Sequence, residues 1–152
     1  MMIEQLKNIL SHYAQIDAAY LFGTAATGKL RPNSDVDVAV LLAEPYAEEE
    51  LAAVHARIIY EIEAAFHREA DVKILNELEH LPLIQKIIAD GILVCDRHSP
   101  RRKAFAVKKN LEYLDFLPHY ERMLDLYAER LRKRGTTKSD SRQNHIHSPE
   151  PG

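Results

Sequence analysis

Two aspartates stand two residues apart in the run DVDVAVLL (35–42), and a Gly-Thr pair, Gly23 and Thr24, precedes them with ten residues between. In a β-strand, residues two apart project to the same face, so Asp35 and Asp37 would point together while Val36 and Val38 face the other way. Two like charges a few ångströms apart beside an apolar core repel each other and lose hydration. A divalent cation relieves both costs, and Mg²⁺ in particular takes a few carboxylates and completes its octahedron with waters and phosphate oxygens. Asp71, which opens the run ADVKIL (70–75), supplies a third carboxylate if that strand pairs beside 35–42. Its plainer reading is a residue that merely opens a strand, and Glu69 and Asp96 also lie near strand ends. Three carboxylates can hold two cations about 3.5–4 Å apart, an arrangement suited to in-line displacement at phosphorus.

The Gly-Thr pair fits such a site from the other side. Gly23 follows the apolar run AAYLF (18–22) and, lacking a Cβ, lets backbone N–H groups approach phosphate oxygens. Thr24 adds a hydroxyl donor, and a short helix starting there would favour an anion. Alone, the pair is a plain turn. In the spacing G-[S/T]-x10-D-x-D it is far more specific. At average residue frequencies the pattern arises by chance on the order of a few times per thousand chains of this length.

The elements that must position these residues follow from periodicity. Ile3, Leu6, Ile9, Leu10 and Tyr13 mark an amphipathic helix over 2–14. Strands are predicted at 18–22, 35–42, 70–75 and 92–95. A loop with one helical turn fills 23–34, a long helix runs over 47–67 with Glu48, Glu49 and Glu50 at its positive end, and another over 80–90 is stopped by Gly91. Residues 101–134 are helical again, with a kink or a break at Pro118. The fold class is therefore α+β, a mixed sheet of about four strands with flanking helices and a C-terminal helical extension. The organisation is a core over 1–98, the helical extension of the same domain over 99–134, and a tail over 135–152 without apolar periodicity, expected to be disordered. His145 and His147 in that tail have no further ligand in register.

The 152 residues carry a net charge of −3, unevenly distributed. Residues 1–96 hold 7 Lys/Arg and 16 Asp/Glu, whereas 97–134 hold 11 and 5. The basic helical end, with Arg101, Arg102, Lys103, Lys108 and Lys109, offers a docking surface for a charged partner or is an ordinary solvated helix. The acidic body and the lack of a nucleic-acid-binding motif argue against direct nucleic-acid binding. No apolar run nears the roughly 20 residues of a membrane helix, and no signal-peptide cleavage site follows the N-terminal helix, so a cytoplasmic protein is expected. The single cysteine, Cys95, reads as a small buried hydrophobe.

With its YLFGT, NSDVDVAVLL and DVKIL segments in this order, the chain resembles the nucleotidyltransferase superfamily with the DNA polymerase β-type catalytic fold. More closely it resembles the minimal nucleotidyltransferases, in particular the MntA-type antitoxins paired with HEPN-domain (HepT) toxins. The resemblance covers about residues 1–134, and only the G-[S/T]-x10-D-x-D motif within it is highly specific. It implies transfer of AMP from ATP, with Asp35, Asp37 and Asp71 holding two Mg²⁺ ions, Asp71 also helping to deprotonate the acceptor, and Gly23 and Thr24 binding the triphosphate. It further implies an acceptor tyrosine on a HEPN RNase toxin held in a hetero-oligomer. The family usually has serine where this chain has Thr24. Two alternatives stand beside this reading: a nucleotidyltransferase acting on a small molecule of the aminoglycoside type, and an antitoxin that neutralises by binding alone.

Overall fold

The first helix, α1 (Met2–Ser11), buries Leu6 and Leu10 completely. These residues are four apart and so share one helical face. It leads into β1 (Ile16–Phe22), which begins two residues earlier than the apolar run suggested. A single turn, α2 (Thr24–Thr27), follows at once. Next come β2 (Val36–Leu42), α3 (Glu48–Phe66), β3 (Ala70–Ile74), a short 3-10 turn (Leu75–Glu77), α4 (Leu81–Asp90) and β4 (Ile92–Asp96). The last element is α5 (Ser99–Asn144). This computed structural model describes residues 2–29, 31 and 33–144, with side chains described up to Gly135.

The four strands form one mixed sheet in the order β3-β2-β1-β4. β1 pairs antiparallel with both β2 and β4, and β2 pairs parallel with β3. A parallel pair needs a crossover, and α3 supplies it. Val54, Ile58 and Ile62, spaced four apart along α3, join Leu6, Leu10, Val36, Val38 and Val40 in the larger core on one face of the sheet. Ala18, Tyr20, Ala39 and Leu41 point to the other face, where Leu75, Ile87 of α4 and Phe105 of α5 cover them. With both faces covered, β2 reads as a nearly continuous apolar run after its aspartates.

The helix ends have local causes. His67 takes a left-handed conformation (φ 55°) at the end of α3, and its N–H donates to the Glu63 carbonyl at 2.9 Å. At α4 the His80 imidazole accepts from the Leu83 N–H at 3.1 Å. Gly91 ends that helix, its N–H 2.8 Å from the Ile87 carbonyl, and a Cβ there would sit 2.5 Å from the same oxygen. Asn76 clamps the last residue of β2, accepting from the Leu42 N–H at 2.8 Å and donating to its carbonyl at 2.9 Å. Cys95 is buried and unpaired, as its apolar setting suggested.

The chain divides into two units, Met1–Tyr113 and Leu114–Gly152. The first includes the start of α5, which two arginines tie to the sheet. Arg101 donates to both oxygens of Asp17, a residue only 2% exposed, at 2.7 and 2.8 Å. Arg102 Nε lies 3.0 Å from Asp96 Oδ1, an ion pair rather than a well-directed hydrogen bond, since that N–H finds no aligned acceptor. Within the second unit Pro118 lies inside the helix without ending it, and the Phe116 and Tyr120 rings stack at 5.4 Å. Leu114, Met123, Leu124, Leu126, Tyr127 and Leu131 are exposed along that helix. α5 runs to Asn144, into the stretch for which no structure was expected. His145 and His147 lie outside the described residues. Among the described residues no helix is long and apolar enough to cross a membrane.

Candidate active site

The site is built where β1 ends and β2 begins, because the antiparallel register sets Phe22 opposite Asp37. Gly23 follows with φ 73° and ψ −150°, a conformation that side-chain-bearing residues avoid. A Cβ at this position would fall 2.1 Å from Asp37 Oδ2 and 3.1 Å from its Cγ. Glycine is thus needed twice: for the backbone angle, and because the Asp37 carboxylate packs against its Cα. The chain then turns back on itself through α2. The Thr24 carbonyl accepts from the Thr27 hydroxyl at 3.0 Å and from the Lys29 N–H at 3.1 Å, and Gly23 O accepts from the Ala26 N–H at 3.2 Å.

The parallel register of β2 and β3 places Asp37 directly beside Asp71, and Asp35 lies one residue before β2 begins. The strand predicted from Asp35 therefore starts at Val36. Val36 and Val38 are fully buried on the opposite face, as alternation requires. Asp37 holds its proton more tightly than an ordinary aspartate; burial is the main cause, followed by the charges of Asp71 and Asp35, with Lys73 partly opposing them. The Lys73 ammonium stands 3.4 Å from Asp71. Asp37 thus feels two further carboxylates and the Lys73 cation together.

Among the described residues no three His, Cys, Asp or Glu side chains converge into a ready-made metal cluster. The donor set nonetheless fits a hard divalent ion: oxygen ligands only, mutually repelling, one of them pressed against a glycine that leaves room for nothing else. Arg31 and Ser34, before Asp35, are hydrogen-bonded to their surroundings. Arg68 donates to the carbonyls of Arg31 and, at 3.2 Å, Ser34. Ser34 Oγ accepts from the Arg31 N–H at 2.9 Å, and the Val36 N–H donates to Glu69 O at 2.9 Å. Beyond Gly23 and Thr24 opens a cavity of about 430 Å³, bounded on its far side by α4.

Sequence reasoning overlooked Lys73 and Arg68. Lys73 was within reach, since it lies two residues after Asp71 on the same strand and must share its face. Arg68 gave no signal, because its acceptors are backbone carbonyls that any sequence provides. Arg101 and Arg102, two of the cations read as either a docking surface or an ordinary solvated helix, are paired with Asp17 and Asp96.

No curated protein matches the chain by sequence. Among solved structures, a mutant of the toxin-antitoxin MntA-HpeT superposes with a TM-score of 0.70 at 19% identity, over 83% of this chain and 98% of that one. A toxin-antitoxin solved with AMP-PNP gives 0.66 at 21%, over 84% and 96%. A tri-AMPylated Shewanella oneidensis HEPN toxin in complex with MNT antitoxin gives 0.62 at 18%, over 83% and 98%. At these identities the likeness is one of fold. The family model described as Polymerase beta, Nucleotidyltransferase matches residues 4–100, a stretch that contains Gly23, Thr24, Asp35, Asp37 and Asp71. This chain belongs to the polymerase β nucleotidyltransferase family.

Proposed function

We propose that this protein is an antitoxin that moves AMP from ATP onto a tyrosine of a partner HEPN-domain RNase and thereby silences it, working in the cytoplasm where ATP is supplied. The observation that carries the reading is the packing of the Asp37 carboxylate against Gly23 with Asp71 in register beside it. On this reading the turn after Gly23 takes the phosphates, and Asp35, Asp37 and Asp71, near the starts of β2 and β3, take the metal.

Asp35, Asp37 and Asp71 would hold Mg²⁺, which supplies charge neutralisation on the reacting phosphate when bound. The backbone N–H groups after Gly23 and the Thr24 hydroxyl bind the β- and γ-phosphates and keep the α-phosphorus over Asp37. Asp71, the member on β3, accepts the proton of the acceptor hydroxyl. A tyrosine hydroxyl ordinarily titrates near pH 10, so this proton must leave as the oxygen attacks. The tyrosine oxygen bonds to the α-phosphorus, the bond to the β-phosphate bridging oxygen breaks, and pyrophosphate departs. Thr24 keeps the hydroxyl of the serine usual at this position.

The test mixes the purified protein with ATP, Mg²⁺ and the product of the neighbouring gene, and records intact masses. Gains of about 329 Da per AMP on the partner are expected, from ATP minus pyrophosphate. A stable complex without a mass gain would sink the enzymatic reading in favour of neutralisation by binding.

A further inference from the structure

The sheet order gives the site a direction. Asp71 lies on the edge strand β3, Asp37 on β2, and Gly23 at the end of β1, next to β4. An in-line displacement places the attacking and leaving oxygens on opposite sides of the phosphorus. On the reading above, the acceptor approaches from the Asp71 side, so pyrophosphate must leave across Gly23 and Thr24. That is where the cavity opens, between Thr24 and Thr27 on one wall and Leu83, Lys86, Ile87 and Asp90 of α4 on the other.

The α4 wall has two stripes. Leu83 and Ile87, four apart, pack toward the sheet, while Lys86 and Asp90, also four apart, are exposed at the cavity. Lys86 and Asp90 do not pair with each other, and among the described residues Lys86 has no ion-pair partner. Lys86 is the one cation among the described residues that line this space. The leaving pyrophosphate gains negative charge as the bond to the α-phosphorus breaks, so a cation at this end acts on the charge that develops.

We infer that Lys86 binds the β- and γ-phosphates of the nucleotide and the departing pyrophosphate from across the cavity. This rests on the nucleotidyl-transfer reading of the site, and it assigns α4 a direct role in substrate binding. Asp90 on the same wall opposes the same charge and tempers the affinity for the product.

The test is the affinity of the full-length protein for ATP, AMP and inorganic pyrophosphate with Mg²⁺, compared among wild type, Lys86→Met, Lys86→Arg and Asp90→Asn. Lys86→Met is expected to weaken ATP and pyrophosphate binding about tenfold, as for a lost charge-assisted contact, and to leave AMP within about twofold. Lys86→Arg should stay near wild type, and Asp90→Asn should tighten ATP by a few-fold at most. Equal losses for ATP and AMP, or ATP affinity unchanged in Lys86→Met, would overturn the assignment. If wild type binds ATP and transfers AMP while Lys86→Met matches it, only Lys86 loses its role. If wild type binds no ATP, the transfer reading fails and this assignment with it.

Discussion

The two ends of β1 treat aspartate in opposite ways. At its start, Asp17 is buried and grips Arg101 with both oxygens, and Asp96 on the neighbouring β4 has Arg102 and the Ser99 hydroxyl beside it. Those partners, Arg102 first and then Ser99, hold the Asp96 carboxyl below the usual aspartate range. At the other end, Asp37 is raised above that range by burial and by two further carboxylates. An acid that serves the fold is matched with a cation from the same chain. Asp37 is instead left among other acids, which on the proposed function is the opening for a ligand.

Substitutions should separate the two ends. The largest effect belongs to Asp37→Asn, which is expected to lower AMP transfer at least about a thousandfold, as several kcal/mol of lost charge stabilisation would. The same change should not lower the melting temperature of the metal-free protein. A destabilised variant would mean that Asp37 is structural like Asp17.

Gly23→Ala comes next. It forces a Cβ onto Asp37 Oδ2 at a positive φ, so we expect transfer to fall about a hundredfold through the displaced carboxylate and stability to fall by about 1–2 kcal/mol. Near-normal kinetics would show that this close approach is unimportant. Arg101→Ala should do the reverse: a fall of several degrees in melting temperature, because Asp17 is left buried without its partner, with kcat unchanged per folded molecule. Loss of kcat at full folding would erase the distinction between the ends.

The smallest effect is the dependence of stability on pH. Between the ordinary aspartate pKa and the raised value of Asp37, the folded chain binds more protons than the unfolded one. Asp37 therefore adds stability as pH falls through that window and detracts from it above, by less than about 1 kcal/mol after solvent screening. Asp96 has the opposite sign, since its depressed pKa favours the fold at higher pH and that contribution is lost as pH falls. Melting curves with and without Mg²⁺ should thus show stabilisation by the ion at neutral pH that fades on acidification. A Mg²⁺ effect independent of pH, or retained in Asp37→Asn, would place the ion elsewhere.

The fold was legible where periodicity is strong. Leu6 and Leu10 announce α1, the valines of 36–40 announce β2, and Gly91 announces the end of α4, because each reflects a local rule that one helix or strand obeys by itself. The start of β1 was missed at Ile16 because Asp17 looks polar, and its burial depends on Arg101, 84 residues away. At Pro118 the sequence left a kinked helix and a break both open, since proline reads locally as an interruption, and α5 continues through it.

Within the site, spacing along the chain was enough to nominate Gly23, Thr24, Asp35 and Asp37, and the strand period gave the expectation that the two aspartates of DVD share a face. Those are properties of covalent order and of the two-residue strand period. Folding alone decided that Asp71 stands in register with Asp37, that the Asp37 carboxylate rests on the Gly23 Cα, and that Lys86 looks across a cavity at Thr24. Each of these joins residues from different strands or helices, and their meeting depends on sheet order and on which face each helix covers, quantities that no local pattern encodes.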